Sequence, residues 1–373
     1  MDFTVLWRGL LAGFSSFTWG NAIMILVGCV LIYLAVVKEY EPVLLLPIGF
    51  GCILANLGMS VYTDGFMKVL YDAGIKTELF PLLIFVGVGA MIDFRPLLAM
   101  PEMVLLGAAG QFGIYGTLIL ATLLGYTLPQ AASIGVIGAI DGPTAIFVAS
   151  KLAPEMLGAI AVAAYSYMSL IPIIQPPIMR LMTTRKERLV RMEYSARPIS
   201  RRAVIAFPIL VTAVVSLIAP SAAPLIATLM LGNLLREAGV VDRLSKSAQN
   251  EMINISTLFL GLAIGGTMTA EKFINLQTLG VMGLGLIAFV MDTVAGLLFG
   301  KLMYVVTRGK VNPLIGACGI SAFPMAGRLS AKMAQEEDYT NFILMHAMGS
   351  NTAGQLGSVI AGGLLLALVA GIV

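Results

Sequence analysis

Gly135-Val-Ile-Gly-Ala-Ile-Asp141-Gly-Pro-Thr-Ala145 is the stretch that decides how this chain folds, because it sets one carboxylate beside Gly142 and Pro143 inside an otherwise apolar run. Proline has no amide hydrogen to give a helix and crowds the preceding turn, while glycine favours unwinding. The stretch therefore predicts a broken helix with freed backbone carbonyls next to Asp141. At membrane depth such groups are tolerated only where they face a cavity or bind something. The stretch reads as half of a cation site.

The rest of the chain supplies the membrane. Of its 373 residues 58% are hydrophobic and only 12% charged, which excludes a soluble globular domain. Apolar runs occur at 21–37, 43–59, 79–92, 102–125, 130–150, 157–179, 203–219, 222–235, 253–268, 276–306, 311–331 and 340–371. Many approach the roughly 20 residues that cross a hydrocarbon core. Several are short and interrupted by glycine, as re-entrant or paired half-helices would be, so an all-α polytopic membrane protein of about 11 membrane segments is expected. The start, 1–20, carries Asp2 and Arg8 but no cleavable-signal pattern. Cys29, Cys52 and Cys318 stand far apart in apolar surroundings and His346 is the single histidine, so neither a disulfide framework nor a zinc cage is expected. The small formal charge of +3 gives no ground for a nucleic-acid partner.

Arg180, Arg185, Lys186, Arg188, Arg191, Arg197, Arg201 and Arg202 crowd one interval, opposed there by only Glu187 and Glu193. The positive-inside rule assigns this interval to the cytoplasm. It separates an N-terminal transmembrane repeat, 1–182, from a C-terminal one, 203–373, with a basic linker at 183–202. The linker is either a topology signal alone or a docking surface for a cytoplasmic partner. The two halves resemble each other: Met91 in Phe85–Arg95 falls on Met268 in Leu262–Lys272, and Pro143 with Lys151 falls on Pro324 with Lys332. Matched, proline-broken segments in inverted halves point to a substrate or ion site at their interface.

Asp141 leads the candidate residues, since an ionisable group in mid-membrane costs a few kcal/mol and persists mainly on an ion or proton pathway. The plain alternative is a helix-capping carboxylate. Asn312-Pro-Leu-Ile-Gly316 followed by Ser321, Pro324 and Arg328 offers an amide oxygen, a hydroxyl and freed carbonyls, ligands suited to a small hard cation. One carboxylate with neutral oxygens fits Na+ better than a divalent ion. The third stretch, His346-Ala-Met-Gly349-Ser-Asn351-Thr-Ala-Gly354-Gln-Leu-Gly357-Ser358, offers Asn351, whose amide is expected to face Asp141; helix packing by small residues is the alternative. Tyr167 is either a proton-handling hydroxyl or an ordinary interfacial tyrosine. Arg328 either neutralises a carboxylate or snorkels to headgroups. Asp292 ranks below Asp141 because no breaker stands beside it, and Asp93 with Arg95 reads as a local pair.

These motifs resemble the β subunit of the biotin-dependent, sodium-pumping decarboxylases over almost the whole chain. The resemblance is carried by Gly138-Ala-Ile-Asp141-Gly-Pro-Thr-Ala145, by Asn312 to Gly316 with Ser321 and Arg328, and by Asn351 to Ser358. It implies that Asp141, Asn312, Gly316, Ser321 and Asn351 serve sodium binding. It also implies that Tyr167 and Arg328, with Asp141 and Ser321, serve proton transfer or the handling of carboxybiotin. The implied partners are a carboxyltransferase α subunit, a biotin carrier subunit and a small single-span membrane subunit, in the plasma membrane of a bacterium or archaeon, with a homo-oligomer left open. Members of the oxaloacetate type are longer, so the expected carboxyl donor is an acyl-CoA such as methylmalonyl-CoA or glutaconyl-CoA. A sodium/proton exchanger without decarboxylase activity and a passive membrane anchor are the competing expectations.

Overall fold

The structure, a computed structural model, describes residues 17–193 and 198–370; the expectations on Asp2, Arg8 and Arg197 fall outside them. Among the described residues there are helices and turns and no strand. A bilayer imposes this, because a helix satisfies its backbone within one segment. Among the described residues six helices are long and apolar enough to cross a membrane: Trp19–Val37, Met103–Leu123, Pro154–Met182, Arg201–Ile218, Leu276–Val306 and Leu344–Val369. The pair Phe66–Ile75 and Leu79–Met91, bent by 58°, adds a seventh if it is one broken span. Pro42–Asn56 and Leu128–Ala139 are apolar but shorter. The chain is a polytopic helical membrane protein.

Element order repeats along the chain. Trp19–Val37 and Pro42–Asn56 have counterparts in Arg201–Ile218 and Ala223–Ala238. A π-helical turn precedes an apolar helix twice, Tyr71–Ile75 before Leu79–Met91 and Ala248–Met252 before Ile253–Gly265. Each half then runs through a long apolar segment, a 3₁₀ turn (Val136–Ala139 or Pro313–Cys318), a break, a returning helix (Gly142–Leu152 or Met325–Glu337) and a long last helix.

Helices from the earlier and later parts of the chain pack across one another. Pro42–Asn56 packs on Ile253–Gly265, and Ala223–Ala238 packs on Leu79–Met91. Both crossings are made by glycine: a Cβ on Gly51 would strike the Leu262 carbonyl, and one on Gly232 would strike that of Val86. Close backbone approach drives association where lipid is as apolar as the protein. In the same crossed manner Leu157–Met182 lies along Leu276–Val306, and Leu344–Ala370 along Met103–Ala109.

The basic interval is tied down. Thr184 opens the short helix Arg185–Arg188 with a capping box. Arg180 then pairs with Glu336 at 3.0 Å, Arg185 and Arg188 with Glu337 at 3.3 and 2.7 Å, and Arg191 with Asp338 at 2.6 Å. Hydrogen bonds from Thr340 and Arg191 hold the Asp338 carboxyl down at about 2. Four arginines counted toward a free docking surface are thus committed to the end of helix Met325–Glu337 and the residue after it. The Asp93–Arg95 pair, 3.6 Å apart, is part of a larger network that takes in Arg236 and Glu237.

Candidate functional site

Helix Leu128–Gly135 tightens into the 3₁₀ turn Val136–Ala139 and then stops. Ile140 takes a left-handed conformation with φ of 52°. A branched residue held there costs about 1–3 kcal/mol, sustained only when the surroundings fix it, and Ile140 is completely buried. Asp141 is extended (φ −124°, ψ 93°) and caps helix Gly142–Leu152. Its Oδ2 accepts from Thr144 Oγ1 at 2.7 Å and from Gln355 Nε2 at 2.9 Å, whereas its Oδ1 meets only the Thr144 amide at 3.5 Å. The carboxyl is 5% exposed.

The second break follows Pro313–Cys318, and its freed carbonyls are met one by one by side-chain amides. Gln175 Nε2 donates to Ala317 O at 2.8 Å, and Gln111 Nε2 to Gly319 O at 3.0 Å. Asn351 Nδ2 donates to Ile320 O at 2.7 Å and to Cys318 O at 3.3 Å. Buried backbone oxygens need such donors. The two breaks touch where the amide and hydroxyl of Ser321 both donate to Ala139 O, at 3.1 and 3.0 Å. The Ser321 hydroxyl also pairs with that of Ser358, which donates to Gln111 Oε1 at 3.0 Å. A polar seam thus crosses the apolar interior from Gln111 through the serine pair to the carbonyl two residues before Asp141.

Among the residues singled out from sequence, Asp141, Ser321 and Asn351 gather at or beside this seam. Asn351 serves the second break, its Oδ1 has no partner among the described residues, and it is Gln355, one turn further along the same helix, that reaches Asp141. The structure does not bring the Asn312 side chain to Asp141: its Nδ2 donates to the Arg188 and Val190 carbonyls at 2.9 Å, and its Oδ1 accepts from the Leu314 amide at 3.0 Å. Gly316 packs backbone to backbone against Gly296. The Tyr167 hydroxyl donates to the Met282 carbonyl, and Arg328 is exposed. Asp292 is closer to the breaks than its own segment implies. It is completely buried, accepts from the Gly113 amide, and would lie 2.7 Å from a Cβ on Gly138.

Sequence reasoning passed over Gln111, Thr144, Gln175 and Gln355. The available signal was a glutamine in the middle of an apolar helix, a residue type seldom left there without a backbone or ionic partner. Among the described residues no three His, Cys, Asp or Glu side chains come together as a metal cage. The partners of the Asp141 carboxylate are neutral hydroxyls and amides, and a second carboxylate, Asp292, lies against Gly138. An apolar cleft of about 610 Å³, walled by Leu97, Phe207, Leu356 and Ile360, reaches Gln111 but is not lined by Asp141.

A helical membrane protein whose broken helices meet beside two buried carboxylates, Asp141 and Asp292, holds charged chemistry at its centre, as membrane transport proteins do. Comparison with known proteins gives the family. Residues 20–369 match the model of the Na+-transporting oxaloacetate decarboxylase β subunit. The glutaconyl-CoA decarboxylase β subunit of Acidaminococcus fermentans is 54% identical over 361 residues, covering 96% of both chains. The methylmalonyl-CoA decarboxylase β subunit of Veillonella parvula is 54% identical over 358 residues, covering 96% of this chain and 95% of the relative. The oxaloacetate decarboxylase β chain of Klebsiella pneumoniae is 47% identical over 413 residues, covering 94% and 95%. The chain belongs to the family of β subunits of Na+-transporting decarboxylases. That family consists of decarboxylase subunits, so the stand-alone exchanger gives way as a reading.

Proposed function

We propose that this chain is the membrane subunit of a pump that exports Na+ at the expense of carboxybiotin decarboxylation and consumes a proton. The observation that carries the proposal is the buried Asp141 carboxyl, held on one oxygen and nearly free on the other, at the meeting point of two helix breaks. Sodium is the cargo. Asp141 supplies the single negative ligand, and Ser321 and Asn351, whose Oδ1 is unpartnered, supply neutral oxygens. Asn312 and Gly316 act beside them by anchoring the second break to the linker and to helix Leu276–Val306. Arg328, on the exposed side of the returning helix, receives the anionic carboxybiotin. Tyr167 and Ser321 handle the proton that the departing ring nitrogen requires.

The repeated element order and the crossed packing support two inverted repeats, 1–182 and 203–373, joined by a cytoplasmic linker at 183–202. In that arrangement 128–152 and 313–337 enter from opposite sides as re-entrant hairpins, and the short helices Pro42–Asn56, Ala223–Ala238 and Ile253–Gly265 complete a set of about 11 membrane segments. The hard, weakly polarising Na+ suits a site of one carboxylate with neutral oxygens. Identity of 54% to the two acyl-CoA decarboxylase subunits, against 47% to the oxaloacetate chain, supports an acyl-CoA such as methylmalonyl-CoA or glutaconyl-CoA as the carboxyl donor. The pump works in the plasma membrane with a carboxyltransferase α subunit, a biotin carrier and a small single-span subunit. The test is the purified complex carrying Asp141→Asn. Sodium-stimulated decarboxylation and 22Na+ uptake into proteoliposomes should both vanish; full activity in that variant removes the site.

A further inference from the structure

We infer that the Tyr165 hydroxyl is the neutral partner of Asp141 at the ion site, giving a lone pair to the transported ion and its O–H to the carboxylate once the ion has left. This rests on the reading of Asp141 as an ion ligand and adds a ligand to it. The Tyr165 ring lies directly on Gly142, the residue after Asp141, so closely that a Cβ on Gly142 would fall among the ring and hydroxyl atoms. The side chain is 2% exposed, and its hydroxyl has no hydrogen-bond partner among the described residues. Asp141 has the complementary shortage, for its Oδ1 meets only an amide at 3.5 Å, the long limit of a hydrogen bond. Two under-used oxygens therefore flank one glycine in a closed, apolar place.

The chemistry of the group explains why a hydroxyl is wanted. A buried carboxyl that alternately holds and releases a cation must be satisfied in both conditions. An amide nitrogen such as Gln355 Nε2 can only donate, whereas a hydroxyl can accept from a cation or donate to an anion by rotation about one bond. Thr144 has such a hydroxyl but already gives it to Oδ2 at 2.7 Å. Tyr167, two residues on, gives its own to the Met282 carbonyl on a neighbouring helix. Tyr165 alone of these three is uncommitted, and it alone lies on Gly142.

The experiment uses the whole complex with Tyr165→Phe, Tyr167→Phe and Asp141→Asn compared side by side for the Na+ concentration giving half-maximal decarboxylation, for kcat and for thermal stability. Phenylalanine keeps the ring on Gly142. Tyr165→Phe should raise half-saturating Na+ by about tenfold or more, the scale of a lost charge-assisted contact, with the stability unchanged, and Tyr167→Phe should move it far less. Replacement of Tyr165 by 3,5-difluorotyrosine, which keeps shape and O–H but weakens the oxygen as an acceptor, should shift Na+ dependence the same way and serves if the Phe variant does not assemble. Wild-type Na+ dependence in both Tyr165 variants, or a fall in kcat and stability with Na+ dependence unmoved, overturns the inference. If Asp141→Asn also keeps its sodium dependence, the underlying site assignment has failed instead.

Discussion

The two helix breaks solve the same backbone problem by opposite means. At the second, the freed carbonyls of Ala317, Cys318, Gly319 and Ile320 are covered by donors from Gln175, Asn351 and Gln111, and no charge is involved. At the first, the charged group belongs to the break itself, and neighbouring donors converge on Asp141. The difference teaches a division of labour. The neutral break has its carbonyls covered and keeps free only the Asn351 Oδ1, while the acidic break retains a charged oxygen with capacity to spare.

The largest test of this contrast is Asp141→Asn, which should lower sodium-dependent decarboxylation by about 100-fold or more, as when a buried ionic partner is removed, yet leave the complex assembled by size-exclusion chromatography. Next comes Gln355→Leu. Removing a hydrogen bond to a charged group is worth about 1.5–3 kcal/mol, so half-saturating Na+ should rise by roughly tenfold or more in a steady-state titration. At the neutral break Gln175→Leu should do the reverse. It leaves the buried Ala317 carbonyl without its donor, costing about 1–3 kcal/mol of stability, visible as a lower melting temperature in detergent with Na+ dependence unchanged. A shift in Na+ dependence with Gln175→Leu, and none with Gln355→Leu, would reverse the assignment of roles.

The smallest effect concerns the clamp that supports the neutral break from below. Asp338 has its carboxyl held at about 2, beneath its ordinary 3.8. The lowered value means that this contribution to holding the linker is complete above pH 3.8 and fades as pH falls through about 2. Protection factors of the 184–192 amides, measured by hydrogen exchange across that range, should decline toward the acid end and stay level above it.

Asp141 was legible in the sequence because its signal is local: an acid, a glycine and a proline in succession can only interrupt a helix, and they do. Ser321 was legible as part of a second proline-broken stretch, but its contact with Ala139 was not, because that depends on how the two breaks are packed. What could not be read was direction. Asn351 and Gln355 share one helix a turn apart, and nothing in their spacing says which of them faces the acid. Asn312 stands before a proline and looked like a ligand beside a break, but it lies at the entrance of its hairpin, where its amide binds the Arg188 and Val190 carbonyls. Asp292 was ranked by the absence of breakers in its own segment, although the breaks that matter are brought to it by other helices. Tyr165 and Tyr167 are indistinguishable by composition and differ only in what their hydroxyls meet.

The contact between the two helix breaks carries a consequence for the proposed pump. A single oxygen, that of Ala139, receives both donors of Ser321, so one peptide group of the first break is what the second break holds at this point. That contact consists of two neutral hydrogen bonds, each a modest contribution beside one made to a charged group. In the pump proposed above, so modest a contact is a weak point for leakage, which would give Ser321 a part in keeping ions from running backward as well as in passing them forward.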